Sequence, residues 1–422
     1  MGLCAWDYAH GAALPAPPPP PILRAPRKER MGETDSRTDM GPRIWALLGP
    51  RTGDNNQVLA LAEAVAGACG GAVEAIPLRH NLLRLLPTRF GGIGLASLDR
   101  ASRAALGPPW PDLVIGVGRR SVPAARWIRA GSAGRTRIVQ LGRPRCHPGR
   151  FDLVVTTPQY GVPPGPTVLE QPLSLTRQTP ERLAGAAMAW HAALERFPAP
   201  RRALVLGGPS WPWRLHPEEV ESACHALLAR AEKDGGSVLA VASRRTPTAL
   251  AGRVRRILAG APVPAALLEG AGERNPYPGL LALADEFAVT ADSVAMVSEA
   301  VATGKPVTLI PVRASRPGGA WLGAMRALRL ADAGQAAPPW LRAAGRAWGG
   351  LVRRGWAGWP RDLWFFWRGL EHHRLMHGQS APPPMAVAAV DRIRPLLPAG
   401  AGGTGPGSDP RAPGHPDGYA SP

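Results

Sequence analysis

A chain of 422 residues is long enough for two domains of ordinary size, each with its own core. Its net charge of +19 is almost all arginine, only Lys28, Lys233 and Lys305 being lysine. With 50 Gly and 49 Pro this fits a GC-rich coding sequence better than a polyanion partner, and no RNA-binding aromatic motif or zinc-finger spacing supports nucleic acid. Cys4, Cys69, Cys146 and Cys224 form no Cys-x-x-Cys pair, which argues against a metal knuckle or a disulfide framework and for a reducing cytoplasm, and no apolar run is long enough to span a bilayer.

Residues 1–40 are Pro-rich, charged and aperiodic, and read as a disordered leader in which Met31 and Met40 are alternative starts. Pro15 to Pro21 interrupts any apolar stretch there, so no signal peptide is expected. From Ile44 onward, strands at 44–48, 73–76, 113–117, 137–141 and 151–156 alternate with helices at 58–68 and 123–129. That alternation predicts a parallel sheet between helical layers. A helix at 179–195 closes an N-terminal domain, 41–196, and residues 197–201 read as a hinge. Strands at 203–206, 238–241, 287–289 and 307–310, with helices at 220–233, 247–258 and 280–284, then repeat the pattern in a second domain, 197–311. The expected fold is α/β, two doubly wound Rossmann-like halves facing a cleft.

Polar clusters fall at the strand ends. Gly53-Asp54-Asn55-Asn56-Gln57 follows the first strand with more polar groups than a turn requires; Asp54 could take a proton from an attacking hydroxyl, or the loop could be a solvated helix cap. Gly118-Arg119-Arg120 is a partial glycine pattern in which the arginines would hold phosphate or be solvated. Gly208 and Ser210 close the next half's first strand, where small residues allow close approach, and Ser243-Arg244-Arg245-Thr246 brings two guanidinium groups to the same edge. Phe287 to Val289 stops at Thr290, Asp292 or Ser293 caps a helix, Glu299 lies just past its first turn, and Gly304 ends it before Lys305. Three converging strand ends of this kind would enclose a diphosphate and its nucleoside.

Residues 312–367 form a helical insertion that holds half of the 14 tryptophans, and from Arg313 to Arg374 eleven arginines face three acids. On a helical wheel Leu341, Ala344, Trp348, Leu351, Val352, Trp356 and Trp359 share a side, with Arg342, Arg346, Arg353 and Arg354 opposite. Two readings are open: an interfacial helix on an anionic membrane through residues 340–367, or a hairpin packed on the protein body. Residues 368–398 read as a helical return segment and 399–422 as a disordered tail. His372, His373 and His377 have no Asp or Cys partner at a ligand spacing, and Glu371 alone beside them, so no metal is expected.

The run Asn275 to Val307 resembles the signature of the mitochondrial fission protein family first known from plants. Bacterial members of that family are often labelled sugar-nucleotide enzymes, and its fold is similar to that of GT-B glycosyltransferases. Four further stretches match in order: residues 53–57, 111–115 with 118–120, 207–210 and 243–247. The match covers about residues 43–311 and resumes weakly near 368–395. The resemblance implies ligand contacts through the polar residues already named and through Asn275, Tyr277, Met296 and Ser298. On that basis a nucleotide sugar is the expected ligand and donor, with no separate cofactor. Asp54 serves as base, Arg244, Arg245 and Lys305 meet the diphosphate, Glu299 holds the ribose, and the acceptor is an envelope glycan or lipid. The expected place is the cytoplasm of a bacterium, peripheral on the inner membrane. The alternative is a non-catalytic adaptor with a degenerate GT-B fold. An epimerase is physically weaker, because neither a full Gly-x-Gly-x-x-Gly fingerprint nor a Tyr-x-x-x-Lys pair is present.

Overall fold

The structure, a computed structural model, describes residues 41–82, 94–270, 274–376, 378 and 385–398. The expected leader, the expected tail and His377 lie outside the described residues.

Six parallel strands make the first sheet: β1 (Arg43–Leu48), β2 (Ala72–Pro77), β3 (Leu113–Val117), β4 (Arg137–Leu141), β5 (Leu153–Thr156) and β6 (Val168–Glu170), in the order β2-β1-β3-β4-β5-β6. Successive side chains alternate in direction. Ile44 and Ala46 therefore join the layer of α1 (Thr52–Cys69), while Trp45 and Leu47 join the opposite one, beside the short α2 (Arg100–Ala104) and α3 (Gly118–Gly131). Both faces are apolar, as parallel strands covered by helices require.

The second sheet is also parallel. Its strands are β7 (Arg201–Leu206), β9 (Ser237–Ala242), β10 (Ala265–Leu268), β11 (Glu286–Thr290) and β12 (Val307–Ile310), in the order β10-β9-β7-β11-β12. Ala203 and Val205 face one core, and Leu204 and Leu206 the other. A separate antiparallel pair joins β8 (Trp213–Arg214) to β13 (Arg313–Ala314). The helices of this half are α5 (Pro217–Asp234), α6 (Thr248–Ala259), α7 (Tyr277–Leu283) and α8 (Val294–Ala302). Two Rossmann-like halves in one chain are thus present, as the strand–helix alternation predicts.

Helix α4 (Pro180–Leu194) departs from the expected domain boundary. Trp190 and Leu194 lie in the core of the second half, and Gly279 of α7 sits so close that a Cβ there would come within 2.3 Å of the Trp190 ring. Helical periodicity identifies such a face but not the partner it covers.

After β13 come α9 (Arg316–Asp332), α10 (Pro339–Arg353), α11 (Leu363–His372) and α12 (Met385–Ile393). Leu363, Phe366 and Leu370 of α11 complete the second half's core. Ala389, Val390 and Ile393 of α12 return to the first half and pack against the α1 layer. Within the Trp/Arg insertion α9 and α10 meet through glycine: a Cβ on Gly345 would lie 2.7 Å from the Leu328 carbonyl oxygen, and one on Gly349 would strike the Asp332 carboxylate. Arg353 pairs with that carboxylate at 2.8 Å.

Of the expected apolar stripe, Val352 and Trp359 are buried, Leu341, Trp348 and Leu351 are half-buried, and Ala344 and Trp356 are exposed; all four opposing arginines face outward. Most of the stripe therefore packs on the protein body, while Trp340 and Trp356 remain 69% and 76% exposed. Among the described residues no helix is long and apolar enough to cross a membrane.

Candidate functional site

In open α/β sheets ligands gather at the carboxyl ends of strands where the strand order reverses. Here the reversals fall between β1 and β3 in one half and between β7 and β11 in the other, and the start of α1, after β1, meets the β9–α6 loop and α8 across the cleft.

On the first side, residues 53–57 are helical rather than a loop, because α1 begins at Thr52. Asn55 is consumed by the strand-to-helix turn: its Oδ1 accepts from the Gly49 N–H at 2.8 Å and its Nδ2 donates to the Gly49 carbonyl at 2.9 Å. Gln57 donates to the Gly53 carbonyl at 3.3 Å. Gly53 allows α1 to approach α8, since a Cβ there would stand 3.3 Å from Ala295. Asp54 is left facing the cleft, half-buried. Burial raises its pKa, and Arg51, Arg361 and Arg245 pull it down. No side chain caps the first N–H groups of α1.

The second side is built around Asp292, which is 1% exposed. Its Oδ2 accepts from the Gly208 N–H at 3.0 Å, and Thr290 Oγ1 accepts from the Gly207 N–H at 2.7 Å. The glycine pair at the end of β7 is explained by these neighbours rather than by a ligand. A Cβ on Gly207 would lie 2.6 Å from Asp292 Oδ1, and one on Gly208 would lie 2.3 Å from the Arg245 carbonyl oxygen. Thr246 donates to the Leu206 carbonyl at 3.0 Å and contacts Ser243 Oγ at 3.0 Å, which fastens the β9–α6 loop to the end of β7. Arg245 then reaches the Gly208 carbonyl at 3.1 Å and stands 3.9 Å from Asp292, while Arg244 crosses the cleft to donate to Thr52 Oγ1. Burial raises the Asp292 pKa against Thr290, Gly208 and Arg245. Ser293 begins α8 without capping it by side chain.

Arg361 was not distinguishable by sequence from the other arginines of the insertion. Its Nη1 donates to Ser210 Oγ at 2.9 Å and its Nη2 to the Asp292 carbonyl at 3.4 Å, while its Nε is buried without a partner. The adjacent Asp362 is fixed by a bidentate pair with Arg326 at 2.7 and 2.9 Å and accepts from the Trp364 N–H at the start of α11. Its match to a helix N-cap is the signal that could have marked this position.

A second group joins the halves. Glu299, 7% exposed, lies between Asn56 of α1 and Tyr277 of α7. Burial pushes its pKa up to about 7, against the opposing pull of Tyr277 and Asn56. Burial and then Glu299 push the Tyr277 phenol well above its ordinary range, and its oxygen makes no hydrogen bond of good geometry. Nearby, Ser298 Oγ accepts from the Ser174 N–H at 3.0 Å, Asn275 Oδ1 accepts from the Tyr277 N–H at 3.1 Å, and Met296 packs half-buried against the second half's core.

Some expected residues lie elsewhere. Lys305 is at the opposite, amino edge of the sheet, where its Nζ donates to the carbonyl of Ala282 at 2.7 Å and to that of Ala284 at the end of α7. Gly304, at φ 73°, ends α8 beside it. Neither can meet a diphosphate at the carboxyl edge. Gly118, Arg119 and Arg120 start α3 at the carboxyl end of β3. Among the described residues no cluster of three or more His, Cys, Asp or Glu side chains is arranged to hold a metal.

The mitochondrial fission ELM1 family matches residues 52–333, more than half of the chain and both strand-end groups. The chain belongs to that family. It is 30% identical over 258 residues to the Mitochondrial fission protein ELM1 of Arabidopsis thaliana, across 53% of this chain and 59% of the relative, so it spans less than two thirds of the relative's length. Among solved structures it is similar to MurG of Acinetobacter baumannii (11% identity, 84% of this chain and 99% of that one, TM-score 0.39). It is also similar to the ADP-heptose LPS heptosyltransferase II of E. coli (14%, 63% and 84%, TM-score 0.38). A UDP-GlcNAc 2-epimerase of Methanocaldococcus jannaschii is another (11%, 67% and 87%, TM-score 0.36).

Proposed function

We propose that this ELM1-family protein binds a nucleotide sugar at the carboxyl ends of β7, β9 and β11 and transfers the sugar to a hydroxyl held by the first half. The observation that carries this reading is the meeting of two topological switch points across one cleft, with Asp54 from one side facing Arg245 and Arg361 from the other. In this reaction the bond between the sugar's anomeric carbon and the diphosphate oxygen breaks as the acceptor oxygen bonds to that carbon, and Asp54 takes the acceptor's proton. Burial raises the basicity of Asp54, as a general base at neutral pH needs. Arg245, Arg361 and the uncapped start of α8 meet the negative charge of the leaving diphosphate. Lys305 has no part in this step, and Glu299 reaches a ribose only when the halves separate.

A second reading, a non-catalytic adaptor with a degenerate GT-B fold, is favoured by the filled cleft. Arg244, Arg245, Arg361 and Glu299 are all engaged by protein groups, and the cavity beside Asp54 has a volume of about 20 Å³, room for about one water. The plant relative's name, a fission protein, also supports it. Thermal unfolding of the full chain with nucleoside diphosphates and their sugar conjugates separates the two. Stabilisation by one base, lost in Arg245→Ala with Arg361→Ala, is expected of the transferase; no response to any nucleotide supports the adaptor.

A further inference from the structure

The carboxyl edge of the first sheet carries a second concentration of positive charge that the nucleotide reading leaves unused. β3 and β4 run parallel with Val117 opposite Leu141, so Arg119 and Arg143, each two residues beyond, follow neighbouring strand ends. Arg119 is the second residue of α3, whose N-terminus has no side-chain cap. The loop after β4 turns at Gly142, φ 68°, and again at Arg145, which adopts φ 59°, a left-handed conformation ordinarily left to Gly or Asn.

Arg145 is close enough to Arg143 and to Arg119 for the like charges to oppose one another. Burial and then Arg145 lower the pKa of Arg143 to about 10, and burial and then Arg119 lower that of Arg145. Among the described residues none of the three has an acidic partner or a side-chain hydrogen bond. The arginines across the cleft differ: Arg244, Arg245 and Arg361 all donate to protein oxygens. Like charges held together and partly desolvated without a counter-ion are relieved by an anion, and guanidinium forks match phosphate oxygens.

We propose that Arg119, Arg143 and Arg145 form a second anion site that takes a phosphate or diphosphate group on the first half of the molecule. Gly142 and Val117, which flank these arginines, also line the cavity that contains Asp54, so a phosphorylated molecule bound here would present its remaining atoms to the cleft. The phosphate could be carried by a soluble ester or by a lipid headgroup. Gly355 packs against His147, two residues past Arg145, which brings the exposed Trp356 to the same loop. The site stands whether or not a nucleotide binds the other half.

Calorimetric titration of the full chain with inorganic pyrophosphate tests it, beside a separate titration with uridine diphosphate. Measured in an Arg245→Ala, Arg361→Ala background, which removes the diphosphate contacts proposed across the cleft, Arg143→Gln with Arg145→Gln is expected to raise the pyrophosphate Kd about tenfold or more. Arg145→Gln alone, at an exposed position, keeps the test readable if the double variant folds poorly, with a smaller rise in the same direction. A pyrophosphate Kd unmoved by these variants in that background, or no pyrophosphate binding once Arg245 and Arg361 are replaced, overturns the proposal. Co-sedimentation with phosphatidylglycerol vesicles distinguishes the sources. Sedimentation lost in the double variant and displaced by pyrophosphate assigns a lipid headgroup, and pyrophosphate binding without sedimentation assigns a soluble ester.

Discussion

Glu299 and Lys305 both lie in the family's signature run, yet their surroundings give them opposite roles. Glu299 is a carboxyl whose pKa rises on folding from its ordinary 4.5 to about 7 because it is buried. Between those values the folded chain holds a proton that the unfolded chain has lost, so stability falls as pH rises through that window and levels above it. At about 1.4 kcal/mol per pH unit the full effect is about 3 kcal/mol. Glu299→Gln keeps the shape and hydrogen-bonding capacity without the ionisation. It is expected to unfold at higher urea than wild type at pH 8 and to flatten the decline between pH 5 and 8, leaving the smaller slope due to Asp54 and Asp292, whose pKa values shift the same way. An unchanged slope would mean that Glu299 is solvated. Lys305, by contrast, satisfies carbonyls at the end of α7. Lys305→Ala is expected to cost about 1–3 kcal/mol in urea unfolding while leaving nucleotide-induced stabilisation intact, the reverse of Arg245→Ala. Loss of the nucleotide response with unchanged unfolding would return Lys305 to the ligand.

Helix α10 separates glycines that look alike in sequence. Alanine is favoured over glycine in a helix by about 1 kcal/mol, which predicts stabilisation at any of them. A Cβ added at Gly350 would meet nothing within 4 Å, and Gly350→Ala should stabilise by about that amount. Gly345 lies over the backbone of α9, and a Cβ there would stand 2.7 Å from the Leu328 carbonyl oxygen. Gly345→Ala should therefore destabilise by about 1–3 kcal/mol in urea melts. Equal effects at both positions would show that the two helices do not meet there. The same contact explains what sequence could and could not reveal. Most strands of both sheets were legible because β1, β3, β7 and β11 are apolar runs bounded by polar turns, whereas the short edge strands β6 and β10 were not. The wheel for α10 misplaced part of its inward face, since Gly345 and Gly349 have no side chain to mark a close helix contact. It was the same with α4, whose helix is evident but whose partner α7 is distant in sequence, and with Arg361, whose role arises only where the insertion meets Ser210 and Asp292.

The two halves are joined at several levels: α4 and α11 lie in the second core, α12 in the first, Glu63 of α1 pairs with Arg182 of α4 at 3.0 Å, and three further polar contacts close the cleft between them. Those contacts are Arg244 with Thr52, Asn56 with Glu299, and the Ser174 N–H with Ser298. A nucleotide entering beside Asp292 must displace protein groups from Arg245 and Arg361, so its apparent affinity includes the cost of opening, and any substitution that opens the cleft without touching the nucleotide side should tighten binding. Thr52 and Asn56 belong to the first half and meet that condition. In Thr52→Ala with Asn56→Ala, each lost hydrogen bond weakens the closed state by about 1 kcal/mol, an increase of about fivefold per bond in the open population. Small-angle scattering should then show a larger radius of gyration, and calorimetry a tighter nucleotide Kd, if the cleft is a transferase site. Expansion without nucleotide binding would favour the adaptor, because the cleft would then have opened with nothing to receive. No expansion would mean that the packed elements, rather than these polar contacts, hold the halves together, and opening would have to be sought in the segment from Gln171 to Thr179 that links β6 to α4.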